Sequence, residues 1–144
     1  MDNSLDNFQE WERVLDTLEK IRTRGDLHHY QDDLIRLLKY RGNWRLCEAA
    51  LKAIQQIKRP TAPLASEVLN IVMDDNLYYE VRALACRTLN GLIRHCKSSS
   101  NGCQTLTRLP IVKHLKALTA VPQPPILSNA ASTCLASMTE AIKR

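Results

Sequence analysis

The chain has 144 residues, a formal net charge of +5, 44% hydrophobic residues and 24% charged residues, which is the composition of an ordinary globular domain. Its sequence has no run of about 18 apolar residues, which excludes a membrane-spanning helix. Aromatic residues are scarce, at 5%, and leucine, alanine and isoleucine supply most of the apolar side chains. These residues favour helices, and we expect an all-α protein.

Helices are predicted where apolar residues recur at three- and four-residue steps, and no segment shows the two-residue alternation of a strand. Gly25 is placed to end the first helix and Asp26 to cap the second. Asn43 can cap the third, and Pro60 and Pro63 mark the start of the fourth. In chain order the predicted helices are about Leu5–Thr23, Leu27–Tyr40, Trp44–Lys58, Ala62–Met73, Tyr78–Cys96, Cys103–Thr119 with a bend or restart at Pro110, and a seventh that follows the prolines at 122, 124 and 125 and ends near Ile142.

The third and fifth predicted helices repeat one another at an offset of 35 residues, and the helices before them obey the same offset. A weaker third copy follows 46 residues after the second. Each helical hairpin has one apolar face that it cannot bury alone, so we expect the hairpins to stack, with the recurring alanine at a close helix contact. The paired residues are Trp44 and Tyr79, Leu46 and Val81, Ala50 and Ala85, Ile54 and Leu89, with Leu127, Ala131 and Leu135 in the third copy.

The segment 75–89 resembles the second-helix signature of a HEAT repeat, with an acidic turn followed by Val81-Arg82, Ala85 and Leu89. In the HEAT-like and armadillo-type family the turn aspartate and the helix arginine typically link neighbouring repeats. In this chain Cys47 and Ser128 occupy the arginine position of the other two copies. The resemblance implies one domain, a short right-handed α–α superhelix, with a capping helix at 1–26 and repeats at 27–60, 61–97 and 103–144.

Proteins of this family usually bind partners on the ridge formed by their second helices. The residues expected to face outward are Glu80, Ala83, Arg87, Asn90 and Arg94 on the fifth helix and Arg45, Glu48, Lys52, Gln55 and Arg59 on the third. The 35-residue offset places Lys52 beside Arg87 and Arg59 beside Arg94. We therefore predict a basic groove for an acidic peptide or a phosphate backbone. The competing interpretation is a solvated face of two helices. The predicted binding residues are Arg45, Lys52, Arg59, Arg87, Asn90 and Arg94.

The charge is unevenly distributed along the chain. Residues 1–33 hold nine acids and four bases, a net charge of −5, so the remainder sums to +10. The leading interpretation is a non-catalytic protein-binding scaffold or adaptor with an acidic partner. The alternatives are a nucleic-acid-binding helical-repeat module and a HEAT-like lyase or glycosylase-type enzyme. The acidic N-terminal part is a competing partner for the ridge, either within the chain or in a second copy through self-association.

Motifs that carry catalysis or bind phosphate are missing from the sequence, which contains no GxSxG, P-loop, GxGxxG or HExxH pattern. Two adjacent histidines, His28 and His29, and the cysteine and histidine residues near the polar loop at 97–102 match no standard zinc spacing. We expect no metal and no cofactor. The five cysteines include no CxxC pair, so we expect five free thiols in a cytoplasmic protein.

Overall fold

The computed structural model of the protein describes residues 10–97 and 104–142. Every regular element in these two ranges is helical and none is a strand, which confirms the all-α prediction. None of the described helices is long and apolar enough to cross a membrane. The elements are α1 (Trp11–Arg24), a 3₁₀ turn (Leu27–Tyr30), α2 (Gln31–Lys39), α3 (Trp44–Ile54), α4 (Ala62–Val72), α5 (Tyr79–Lys97), α6 (Gln104–Thr107), α7 (Ile111–Thr119) and α8 (Pro125–Ile142).

Local capping chemistry explains most of these helix ends. Gly25 adopts φ = 77°, and its N–H donates to the Arg22 carbonyl oxygen, so the left-handed residue that ends α1 was correctly predicted. The Asn43 side chain accepts the Arg45 N–H at 3.0 Å, as expected of a cap on α3. Asp26 was wrongly predicted to cap the next helix: its carboxylate accepts no capping bond and lies 3.2 Å from Nε of Arg24 instead.

Three predicted helices differ in length or continuity from the observed ones. The second begins with the 3₁₀ turn at Leu27–Tyr30, and α2 follows from Gln31. The third helix ends at Ile54 and not near Lys58. Beyond Ile54 the Ile57 N–H donates to the Ile54 carbonyl oxygen at 2.9 Å, which is the tighter pattern of a closing turn. The sixth helix is divided into α6 and α7, with the restart at Pro110 that the sequence predicted. Residues 5–9 of the predicted first helix lie outside the described residues.

The helices pack in the order expected for consecutive hairpins. Within the hairpins α2 contacts α3, α4 contacts α5, and α7 contacts α8. Between them α3 contacts α5, α5 contacts α8, and α2 contacts α4, while α1 packs against α3. Most of the residues that define the 35-residue offset lie in this core: Ala50, Ala85 and Leu89 are fully buried, whereas the paired Trp44 and Tyr79 are exposed. The contacts of α5 with both α3 and α8 make these three helices consecutive neighbours.

Two arginines bind the ends of the first helices of the hairpins. Arg82 is buried, and its Nε donates to the Val72 carbonyl oxygen at the end of α4 at 2.8 Å. Its Nη2 lies 3.5 Å from Asp75, so this arginine stays within its own hairpin. Arg41, which follows α2, makes the contact between hairpins: its Nη2 lies 3.3 Å from the Asp74 carboxylate. The resemblance implied a link between repeats at Arg82, whereas the described contacts between the first two hairpins include the Arg41–Asp74 pair and the bond from the Thr88 hydroxyl to the Leu51 carbonyl oxygen.

Candidate functional site

A groove of about 610 Å³ runs between α5 and α8. Arg87, Asn90 and Arg94 lie on its α5 side, because residues spaced by three and four share one face of a helix. The side chains of Asn129 and Thr133 contribute polar groups from α8. We call this surface the α5–α8 groove; its remaining lining residues are Gln55, Gly91, Ile126 and Ala130.

The α5–α8 groove carries positive charge that the chain does not neutralise locally. Arg87 and Arg94 are both exposed. Neither makes an ion pair with a carboxylate in the part of the chain that the structure describes. No acidic side chain is among the residues that line the groove. Two unpaired cations in one concave surface produce a local positive potential that attracts anions.

Carboxamide groups lie beside these cations. Gln55, Asn90 and Asn129 all line the groove, and a carboxamide offers both donors and an acceptor. The Gln55 Nε2 lies 3.4 Å from the Thr88 hydroxyl, which leaves its oxygen as an acceptor. The Asn90 Oδ1 is buried without a hydrogen-bond partner, and such groups are rare in folded proteins. A ligand N–H in the groove would give this oxygen a partner once the carboxamide turns outward.

The other three predicted binding residues lie elsewhere. Lys52 lines a second groove of about 410 Å³ between α1 and α3, and its Nζ is 3.4 Å from the Glu48 carboxylate. Arg45 lies over two indole rings, 5.4 Å from the Trp11 centroid and 5.6 Å from the Trp44 centroid. Arg59 lines a third groove of about 470 Å³ beside the 3₁₀ turn.

The direction of α3 explains this separation. Leu51 and Gln55 face α5, since the Leu51 carbonyl oxygen accepts the Thr88 hydroxyl at 2.9 Å. Lys52, the next residue, therefore lies on the α1 side, away from Arg87. Arg59 follows the end of α3 and is not on the helix at all. The structure thus brings together Arg87, Asn90 and Arg94.

Two residues of α5 and α8 correct or extend the predicted ridge. Ala83, expected to face outward, is fully buried, because α5 is covered by α3 on one side and by α8 on the other. Thr133 lines the groove but was not predicted as a binding residue. The 46-residue offset of the third copy places Thr133 in register with Arg87, and this was the signal that could have found it.

The charges of α1 are nearly balanced among its described residues. It contains three acidic and four basic residues, so its own net charge is positive. The hydrogen bond from Arg22 lowers the pKa of the Glu19 carboxyl, and Glu10 lies 3.2 Å from Arg13. This local pairing gives Glu10 and Glu19 partners, while Glu12 and Asp16 make no ion pair within the described residues. The acidic N-terminal part as a partner for the ridge stays a prediction, because it includes residues 1–9, which lie outside the described residues.

The cysteines differ from the sequence prediction. Cys47, Cys86 and Cys134 are buried free thiols, and burial raises their pKa values to about 11, 12 and 12. Cys96 is disulfide-bonded, so the expectation of five free thiols is wrong there. Cys103 lies outside the described residues. Spacing along the sequence does not report the short Cα distance that a disulfide needs.

Comparisons of the chain with protein-family models, with curated proteins and with solved structures gave no match. Among the described residues, no group of three or more histidine, cysteine, aspartate or glutamate side chains could hold a metal ion. The geometry and charge of the grooves are therefore the basis on which a function can be inferred.

Proposed function

We propose that the protein is a non-catalytic scaffold or adaptor of the HEAT-like, armadillo-type class. In this proposal the hairpins at 27–60, 61–97 and 103–144 stack in a right-handed α–α superhelix behind the N-terminal helix. The consecutive contacts of α3 with α5 and of α5 with α8 support this stacking. The contact between Arg41 and Asp74 supports it too, because it joins the first two hairpins.

The proposed partner is an acidic segment of another protein, bound in the α5–α8 groove. Arg87 and Arg94 are seven residues apart, a rise of about 10 Å along the helix. Three residues of an extended peptide span about the same distance, so two of its carboxylates can meet both guanidinium groups. Asn90 and Asn129 are placed to bind the peptide backbone between them. The observation that carries this proposal is the presence of two exposed arginines that make no ion pair within residues 10–97 and 104–142, in a groove with no acid among its described lining residues.

The groove lining favours a peptide over the other two function classes. Single-stranded nucleic acid is usually bound by stacking on aromatic rings, and none of the residues that line this groove is aromatic. A lyase or glycosylase site needs a carboxylate or an activated nucleophile, and the described lining residues include no acid or base that could activate the Thr133 hydroxyl. The +10 charge of residues 34–144 still favours a polyanion, so nuclease treatment belongs in the test.

The proposed location is the cytoplasm. The reduced thiols of Cys47, Cys86 and Cys134 support this location. The disulfide at Cys96 is the observation against it.

The proposal is tested by charge reversal of the groove with Arg87→Glu and Arg94→Glu in one variant. The matched control is Lys58→Glu with Arg59→Glu, which changes the net charge equally at two exposed residues outside the groove. In a pull-down from cell extract, we expect the unaltered chain and the control variant to recover a partner protein and the groove variant to lose it. Nuclease treatment of the extract should leave the recovery by the unaltered chain unchanged. Equal recovery by both variants, or loss of the partner on nuclease treatment, would contradict the proposal.

A further inference from the structure

The scarce aromatic residues gather where the hairpin loops meet the second helices. The chain has two Trp, four Tyr and one Phe. Trp44 is the first residue of α3, Tyr79 is the first of α5, and Tyr78 precedes it. Their exposed fractions are 46%, 43% and 65%. Clustered exposed Trp and Tyr side chains are typical of binding hot spots, so this surface needs a different explanation from the α5–α8 groove.

Trp44 and Tyr78 line a fourth concave surface of about 530 Å³, which we call the aromatic groove. Tyr40 and Trp44 come from the α2–α3 connection, and Tyr78 and Asn76 come from the α4–α5 connection. Gly42 lies against the Tyr40 ring, and a Cβ added there would collide with the ring and its hydroxyl. The glycine therefore keeps the Tyr40 ring in its position in the groove.

The charges inside the aromatic groove neutralise one another. Arg41 lies 3.3 Å from Asp74, and the other Asp74 oxygen accepts the Asn76 N–H at 2.9 Å. At the rim, the Arg45 guanidinium lies over the Trp44 ring and makes no ion pair with a carboxylate in the described ranges. The complementary ligand is therefore an uncharged segment with one carboxylate next to it.

The hydrogen-bonding groups of the aromatic groove point to the kind of segment. The Trp44 indole can only donate, and the Asn43 oxygen is already occupied as the α3 cap, which leaves its amide N–H groups. These donors favour a ligand rich in acceptors, and the Asp74 carboxylate is already paired with Arg41 and the Asn76 N–H. Proline has a carbonyl oxygen and no N–H, and its rings and preformed polyproline II helix dock on aromatic-lined grooves. We propose that the aromatic groove binds a proline-rich segment of a partner protein, with an acidic residue of that segment on Arg45.

The test uses synthetic peptides and the intrinsic tryptophan fluorescence of the full chain, with calorimetry as a second readout. The probe is a capped peptide of about ten residues, all proline except one terminal glutamate. One comparison peptide has glycine at alternate prolines, and another has glutamine for the glutamate. We expect the chain to bind the probe at least about tenfold more tightly than the glycine peptide. We expect Arg45→Gln to remove the preference for glutamate over glutamine.

Variants assign the binding to this groove. Tyr78→Ala changes a largely exposed side chain, and Gly42→Ala displaces the Tyr40 ring without removing an aromatic residue. We expect each variant to bind the probe about tenfold or more weakly than the unaltered chain, with an unchanged Tm. The Arg87→Glu and Arg94→Glu variant should bind the probe as the unaltered chain does. The proposal is overturned by no saturable binding, by equal binding of the glycine peptide, or by wild-type affinity in Tyr78→Ala.

Discussion

Thr88 tests whether the contact between α3 and α5 stabilises the stack. The side chain is fully buried, and its hydroxyl donates to the Leu51 carbonyl oxygen of α3 at 2.9 Å and lies 3.0 Å from that of Leu84. Leu51 is in the last turn of α3, where carbonyl groups lack partners within the helix. Valine has the same shape as threonine but no hydroxyl, so Thr88→Val leaves the buried Leu51 oxygen unpaired.

The expected cost follows from that one unpaired group. A buried acceptor without a partner costs about 1–3 kcal/mol, so we expect the free energy of unfolding to fall by that amount. For a chain of this size that corresponds to a Tm lowered by about 3–12 °C. The measurement is urea unfolding and thermal melting followed by circular dichroism.

A matched control is available in α8. The Thr139 hydroxyl is exposed and donates to the Leu135 carbonyl oxygen of its own helix at 2.8 Å. We expect Thr139→Val to change the free energy of unfolding by less than about 0.5 kcal/mol. Equal stability of the two variants would show that the Thr88 hydroxyl does not stabilise the contact between α3 and α5.

Three further predictions concern the core and its thiols. Ala85→Leu should lower the free energy of unfolding by about 1–3 kcal/mol, because Ala85 is fully buried and a larger side chain overpacks the helix contact. The control Ala136→Leu changes an exposed residue and should leave the free energy of unfolding unchanged. Equal melting curves for the two variants would show that Ala85 is not in the core. Thiol titration of the denatured, unreduced chain should find fewer than five thiols, since Cys96 is disulfide-bonded, and five after reduction. Five before reduction would contradict the disulfide. Stability should fall as pH rises above about 9, because unfolded thiols lose protons there while Cys86 and Cys134 keep theirs to about 12; a flat profile across that range would contradict the raised pKa values.

The sequence predicted the helices and their buried faces because both depend on local periodicity. Ala50 and Ala85 recur 35 residues apart, and the structure buries both. Gly25 and Asn43 act as the expected helix ends, since capping needs only neighbouring residues. Asp26 did not cap, because Arg24 offered its carboxylate a closer charged partner.

The surroundings of a side chain depend on the rotation of its helix and on where that helix ends. The 35-residue offset aligns positions in the sequence but gives neither of these. Lys52 and Arg87 align in sequence, but α3 presents Leu51 and Gln55 to α5, which leaves Lys52 in the α1–α3 groove. Ala83 was placed outside because one helical face was counted as buried, whereas α5 is covered on two sides. A central helix in a row has a narrower exposed face than a single amphipathic helix.

An NMR titration with a glutamate-rich peptide tests the proposal that the α5–α8 groove binds an acidic segment. Side-chain carboxamides have their own resonances, so Asn90, Asn129 and Gln55 report on the groove itself. We predict that these resonances and the backbone amides near Arg87 and Arg94 shift on binding, and that the shifts shrink as salt rises. Shifts confined to the α1–α3 groove around Lys52, or no shifts at all, would contradict the account.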